Sequence, residues 1–178
     1  MQPAAVRFAL TLSMLLAPLA ASAQVDRIEL PRAKFATGDD PARSAPGFDD
    51  SAWVQISTSE NYERQGFPGY DGWSWYRIHV RIPAALRTTA VWQGRLTVYL
   101  SRIDDVDETF FNGVRIGQTG RFPTDSGGYD TRWQAVREYY VDLSSGLVRW
   151  DEDNVIAILR DNLERLWSGE GELRNQIV

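Results

Sequence analysis

The densest group of side chains with chemical potential is acidic: Asp104, Asp105, Asp107 and Glu108 lie within five consecutive positions. Ca²⁺ binds six to eight oxygen ligands, carboxylates among them, so Asp104, Asp105 and Asp107 could hold a structural calcium ion. The alternative is a turn at the start of a strand, in which these residues cap backbone N–H groups and Asp107 pairs with Arg137. We favour the pairing, because buried charges need partners, and predict no cofactor other than this calcium ion.

A second group consists of aromatic side chains in loops rich in glycine and aspartate. Sugar rings present apolar C–H faces that stack on indoles, and a few polar groups then fix the orientation of the ligand. Core packing is the alternative, since aromatic residues dominate the cores of small domains. We predict a carbohydrate site in the loops after Gly66 and Gly120. Its predicted ligand-binding residues are Trp73, Tyr129, Arg132 and Trp133.

No arrangement of residues predicts catalysis. The chain has no Cys and one His, which excludes thiol catalysis, disulfides and the two-histidine H-E-x-x-H motif. His79 has no G-x-S-x-G serine partner, and it lies between Arg77 and Arg81, whose charges are expected to oppose its protonation. Glycoside hydrolysis needs two carboxylates, and nothing in the sequence singles out a pair. We therefore predict that the chain is not an enzyme.

The composition argues against a disordered protein and against a nucleic-acid partner. The chain is 43% hydrophobic and 12% aromatic, which is too apolar for a disordered protein. Its formal net charge is −5, whereas nucleic-acid binders normally carry a basic face. We expect a folded domain whose partner is a carbohydrate or another protein, and not a nucleic acid.

Residues 1–23 form a predicted secretory signal peptide. Arg7 supplies the positive charge, Phe8–Ala20 is apolar, and Ala21-Ser22-Ala23 is a small-x-small cleavage site. The apolar run of 13 residues is shorter than the ~20 that a spanning helix needs. We expect one mature domain over residues 24–178 that is periplasmic or secreted and has no membrane span after signal cleavage.

Apolar and polar residues alternate in several short segments, which is the pattern of half-buried strands. The predicted strands are Arg27–Leu30, Trp75–Ile82, Arg95–Ser101, Thr109–Ile116, Arg137–Leu143 and Asn154–Leu159. Asn112-Gly113 predicts a hairpin turn within the fourth segment, and the unbroken apolar run of the last indicates burial on both faces. Phe48–Trp53 is predicted as one helical turn with Trp53 directed inward. The fold class is therefore all-β, an antiparallel β-sandwich of jelly-roll type.

The stretch Gly94–Gly120 resembles a known family. Its strand, the acidic segment Ile103–Glu108 and the aromatic hairpin are similar to the galactose-binding-like jelly-roll domain of glycoside hydrolase family 2 enzymes and sialate O-acetylesterases. They also resemble the extracytoplasmic sensor domains of bacterial seven-helix receptors. Trp75-Tyr76-Arg77 and Asn154-Val155-Ile156-Ala157 extend the likeness, which covers Phe48 to Asn162.

The resemblance implies a sandwich of two antiparallel sheets. It implies no catalysis, because the chemistry of those proteins lies on another domain. The resemblance predicts the fold more specifically than the function, because one fold can support many functions. The first hypothesis is an exported, non-catalytic carbohydrate-binding module, accessory to glycan or glycoside hydrolysis. The alternatives are a periplasmic protein-interaction or sensor domain that binds no sugar, and a shortened relative of a glycoside hydrolase or sialate O-acetylesterase.

Overall fold

The computed structural model describes residues 27–88 and 94–162 and the short strand at 176–177. The predicted signal peptide, residues 1–23, lies outside the described residues. The strands are β1 (Ile28–Glu29), β2 (Arg32–Thr37), β3 (Val54–Ser57), β4 (Gly72–Arg81), β5 (Arg95–Arg102), β6 (Val106–Phe111), β7 (Val114–Thr119), β8 (Val136–Asp142), β9 (Asp153–Asn162) and β10 (Gln176–Ile177). Short 3-10 turns span Pro41–Ser44, Tyr62–Gln65, Ala84–Thr88 and Leu143–Ser145. None of the helical segments described is long and apolar enough to cross a membrane.

The strands form two antiparallel sheets. One has the order β1-β10-β5-β8 and the other the order β3-β2-β4-β9-β6-β7. The longest pairing joins β4 to β9, from Gly72 opposite Asn162 to Arg81 opposite Asp153. The predicted all-β antiparallel sandwich is confirmed.

The main core lies between the two sheets. Successive side chains of a strand point to opposite faces, so every second residue of β4, β5 and β9 enters this core. The side chains involved are Tyr76, Ile78 and Val80 of β4, Leu96, Val98 and Leu100 of β5, and Ile156 and Ile158 of β9. The alternation predicted for the segments that form β4 and β5 is therefore confirmed.

A second apolar cluster covers the outer face of the six-stranded sheet. Its buried members are Trp75, Val106, Phe122, Ala157 and Leu159, with Trp53, Trp73, Phe110 and Tyr129 packed around them. Strand β9 consequently has apolar neighbours on both faces, as its unbroken apolar run predicts.

The β6–β7 hairpin turns at Asn112 and Gly113, whose φ angles are +48° and +83°. Two positive φ angles define the type I′ turn that Asn-Gly favours. The Asn112 side chain also accepts a hydrogen bond from the Val155 N–H and donates to the Leu147 carbonyl oxygen, each at 2.8 Å. The predicted hairpin is confirmed, and its turn is tied to β9.

The first part of the chain differs from the sequence prediction at two places. Arg32–Thr37 forms β2, which is absent from the predicted set of strands, because Ala33 and Phe35 point into the core while β3 and β4 supply hydrogen-bonding edges on both sides. Phe48–Trp53 forms a single tight turn and no helical segment; the Trp53 N–H donates to the Asp50 carbonyl oxygen at 3.0 Å. Trp53 is directed inward as predicted and packs against the second apolar cluster. Trp53 packs under the guanidinium of Arg43, 5.2 Å from the ring centroid.

Candidate functional site

Three loops meet at one end of the sandwich, which we call the loop end. They are residues 58–71 before β4, 103–105 before β6, and 120–135 between β7 and β8. The register places these strand termini side by side, since Gly72 lies opposite Asn162 and Val106 opposite Asp161. The topology thus brings together the two loops in which the carbohydrate site is predicted.

A buried ion pair anchors the backbone of the loop end. Arg137 and Asp107 have fully buried side chains, and Arg137 Nε donates to Asp107 Oδ1 at 2.7 Å. The second oxygen of Asp107 accepts from Thr109 Oγ1 at 3.0 Å and from the Tyr139 hydroxyl at 2.8 Å. Burial raises the pKa of Asp107, while the charge of Arg137 and these donors favour the ionised form.

The same arginine fixes the backbone of the longest loop. Arg137 Nη1 donates to the carbonyl oxygens of Arg132 at 2.6 Å and Ala135 at 2.5 Å, and Nη2 donates to that of Asp105 at 3.1 Å. The Arg132 N–H in turn donates to the Asp105 carbonyl oxygen at 2.8 Å. The turn that carries Trp133 is therefore anchored to a buried charge.

The three candidate calcium ligands are not arranged as one ligand set. Both carboxylate oxygens of Asp107 are taken by protein donors. Desolvation by burial raises the pKa of Asp104, against the opposing charge of Arg160. Asp105 lies in a tight turn with φ +55°. Within residues 27–88 and 94–162, no group of three or more His, Cys, Asp or Glu side chains is placed to hold a metal ion.

The four predicted sugar-binding residues fall into two environments. Trp73 stacks on Phe122, with ring centroids 4.6 Å apart and planes at 17°, and Tyr129 packs against the second apolar cluster. Trp133 is 46% exposed at the surface of the loop end. Arg132 is also exposed and donates to Asp130 Oδ2 from Nε at 3.2 Å and from Nη2 at 3.0 Å.

The exposed part of the loop end combines an aromatic ring with charged groups. Trp133 is partly exposed, and Arg132, Asp130 and Arg121 supply charged donors and acceptors. Arg121 Nη1 lies 3.4 Å from Asp130 Oδ2. Exposed ion pairs of this kind contribute only about 0–1 kcal/mol, so these side chains can exchange partners with ligand hydroxyl groups at little cost.

A cluster around His79 is missed by sequence reasoning. His79 Nε2 lies 2.9 Å from Asp50 Oδ2 and its Nδ1 lies 2.7 Å from Asp153 Oδ2. Partial burial lowers the pKa of His79, but hydrogen bonds and charges of the two carboxylates outweigh burial and raise the pKa above its ordinary value. The expectation that neighbouring cations oppose its protonation is therefore wrong.

Arg77 completes this cluster from the same face of β4. Its side chain is fully buried, and Nε donates to the same oxygen of Asp50 at 2.8 Å. Burial raises the pKa of Asp50, but His79 and Arg77 together outweigh burial and lower the pKa below its ordinary value. The alternating charges Arg77, Asp50, His79 and Asp153 form one connected chain.

Several solved structures share this fold. A glycosyl hydrolase family 2 member from Bacteroides cellulosilyticus DSM 14838 is 21% identical over 86% of this chain and 20% of its own, with a TM-score of 0.61. A β-glucuronidase from Bacteroides uniformis is 20% identical over 85% of this chain and 17% of its own, with a TM-score of 0.57. A β-glucuronidase from Ruminococcus gnavus, in complex with D-glucuronic acid, is 16% identical over 76% and 22%, with a TM-score of 0.53.

These likenesses concern the fold. The sequence matches no protein-family model and no curated protein. The predicted resemblance to the galactose-binding-like domain of family 2 glycoside hydrolases is confirmed at the level of fold. The chain matches only about a fifth of the length of these enzymes.

Proposed function

We propose that this protein is an exported, non-catalytic carbohydrate-binding module that is accessory to glycan or glycoside hydrolysis. Its fold is shared with a limited part of family 2 glycoside hydrolases, about a fifth of each chain. A domain that forms so small a part of a hydrolase is suited to binding rather than to bond cleavage. The proposed site is the exposed part of the loop end.

The observation that carries the proposal is the environment of Trp133. The indole is 46% exposed, yet the turn that bears it is held by Arg137, whose charge is fully buried against Asp107. A side chain whose backbone is held in place before binding loses less conformational freedom when a ligand stacks on it. An exposed indole on an anchored turn beside Arg132 favours a ring-shaped polar ligand.

The test is a calorimetric titration of the purified protein with neutral mono- and oligosaccharides, repeated with Trp133→Ala. The matched control is Tyr140→Ala, which removes a ring of similar exposure, 43%, from β8. We expect saturable binding to one class of sugar that weakens about tenfold or more, equivalent to ~1.4 kcal/mol, in Trp133→Ala only. Equal binding by Trp133→Ala and the wild-type protein would contradict the assignment of the site.

The alternative role as a protein-interaction or sensor domain has less support. A large contiguous apolar patch marks an interaction surface. In the part of the chain that the structure describes, Val54 on β3 and Val114 on β7 are exposed singly, whereas Trp133, Val136 and Tyr140 follow one another along the loop and β8, with exposed Glu138 between the last two. Strands β3 and β7 are at opposite edges of their sheet.

A further inference from the structure

We propose a second binding site, for a small ligand that carries an oxyanion, on the outer face of β2, β3 and β4. The site, which we call the basic cleft, has a volume of about 310 Å³ and is lined by Arg32, Ala33, Lys34, Asp50, Gln55, Arg77 and His79. Pockets of about 300 Å³ and more hold small molecules. This proposal does not depend on sugar binding at the loop end.

The basic cleft is separate from the loop end. Trp73, at the start of β4, belongs to the loop end, whereas Arg77 and His79 follow it by four and six residues on the same face of the strand. At about 3.3 Å per residue, they lie roughly 13 and 20 Å further along β4. A monosaccharide-sized ligand therefore cannot reach Trp133 and Arg32 together.

The buried side of the basic cleft is formed by Arg77, His79 and Asp50, whose polar groups are already paired. Arg77 donates to Asp50 and to the carbonyl oxygens of Arg43 and Ala45. Both ring nitrogens of His79 face carboxylate oxygens, an arrangement that favours the doubly protonated ring. When the ring is protonated, this side of the cleft holds two cations, and Asp50 is shared between them.

The side of the basic cleft that β2 forms, with Arg32 and Lys34, has an excess of positive charge. Lys34 lies directly opposite Arg77 in the β2–β4 register, and like charges in that position repel each other. Lys34 Nζ has one weak contact, 3.4 Å to the Trp53 carbonyl oxygen. Among the described residues, no carboxylate forms an ion pair with Lys34 or with Arg32, the next outward residue of β2.

An oxyanion between these side chains would remove the charge imbalance. The basic cleft contains four cationic side chains, counting protonated His79, and one carboxylate, with Asp153 as a second at its edge. Arg32 and Lys34 would donate charge-assisted hydrogen bonds to the ligand, and Gln55 could bind a neighbouring hydroxyl group. A carboxylate on a sugar and a free sulfate share this chemistry.

The proposal is tested by NMR titration of the purified protein in low-salt buffer with galacturonate, galactose and inorganic sulfate. We expect galacturonate and sulfate, but not galactose, to shift backbone resonances of β2 and β4. Stronger binding of galacturonate would identify an acidic sugar as the ligand, and equal binding would identify the free oxyanion. Absence of saturable binding by either anion would overturn the proposal.

Variants make the test specific. Arg32→Gln/Lys34→Gln should weaken anion binding about tenfold or more, because it removes both charge-assisted donors. Its Tm without ligand should equal or exceed that of the wild-type protein, since repulsion is relieved. Arg102→Gln, which removes an exposed cation from the other sheet, and Trp133→Ala should leave anion binding unchanged. An equal loss in Arg102→Gln would show attraction to overall charge and would overturn the proposal.

Discussion

Arg137 links the buried core to the surface of the loop end. Replacement by Gln would leave the Asp107 carboxylate fully buried with no cation. Breaking a buried ion pair by removing one partner costs about 3–5 kcal/mol. We expect a loss of that size in the free energy of unfolding of Arg137→Gln, measured by urea denaturation.

The matched control is Arg102→Gln, at an exposed position, which should change the free energy of unfolding by less than ~0.5 kcal/mol. Equal stability of the two variants would contradict the role of the buried pair.

His79 is the only histidine in the chain, so its titration can be followed directly by ¹H NMR. We expect a pKa above the ordinary value of about 6.5, because Asp50 and Asp153 favour the protonated ring. A pKa at or below the ordinary value would contradict the observed geometry. Asp153→Asn should lower the pKa of His79, whereas the distant Asp142→Asn should not.

The same pKa shift makes the contribution of His79 to stability depend on pH. A group whose pKa is raised by folding stabilises the folded state fully below its unfolded-state pKa, and this contribution is lost as the pH rises through the folded-state pKa. The stability difference between the wild-type protein and His79→Gln should therefore be larger at about pH 5 than at about pH 9. Urea denaturation at the two pH values measures it.

The local sequence could not predict this charge state. The neighbours of His79 on its own strand face are Arg77 and Arg81, and they suggest a ring held neutral. The carboxylates that decide its protonation are 29 and 74 residues away along the chain. By contrast, pairing of Asp107 with Arg137 could be proposed from sequence, because a buried carboxylate needs a cation.

Strand β7 packs closely against Tyr139 of β8 at the position of Gly117. A Cβ atom at Gly117 would lie 2.0 Å from Tyr139 Cδ1. The ring cannot move aside freely, because its hydroxyl group is hydrogen-bonded to Asp107 and Thr119. Gly117→Ala should therefore destabilise the protein by about 1–3 kcal/mol or more, measured by thermal or urea unfolding.

Gly47→Ala is the matched control for this substitution, since a Cβ there would have no atom within 4 Å. Equal stability of the two glycine variants would mean that the two strands are not packed as described. The lack of space for a side chain at Gly117 comes from the contact between β7 and Tyr139 of β8. The sequence around Gly117 therefore gives no sign of it.

Strand prediction succeeded where a segment carries its own pattern. β4, β5 and β9 each have several inward apolar residues, and the β6–β7 turn has the Asn-Gly pair. β2 has only Ala33 and Phe35 directed inward, and much of its stability comes from β3 and β4 on either side. Hydrogen bonding to neighbouring strands is a tertiary property, which explains why this strand is missed.

For the whole molecule, the fold is far more predictable than the site. A sandwich follows from short alternating segments and from the family-like hairpin. Trp73, Tyr129 and Trp133 have similar types and lie in or beside similar loops, yet two of them pack in the second apolar cluster and one is exposed. That division depends on Phe122 and on how residues 120–135 fold back over the sheet.

The contacts of Asp107 near the loop end also indicate whether sugar binding requires Ca²⁺. Both oxygens of Asp107 are already bound by protein donors, so we propose that sugar binding does not require Ca²⁺. Titrations in the presence of Ca²⁺ and of a chelator should then give the same heat of binding.

The most direct test of the proposed carbohydrate binding is the calorimetric titration of the purified protein against neutral mono- and oligosaccharides. A carbohydrate-binding module should give saturable heat with one class of sugar, and the affinity should fall about tenfold or more in Trp133→Ala but not in Tyr140→Ala. Absence of heat across the panel, for a protein that is folded and stable, would contradict the proposed function and favour a protein partner.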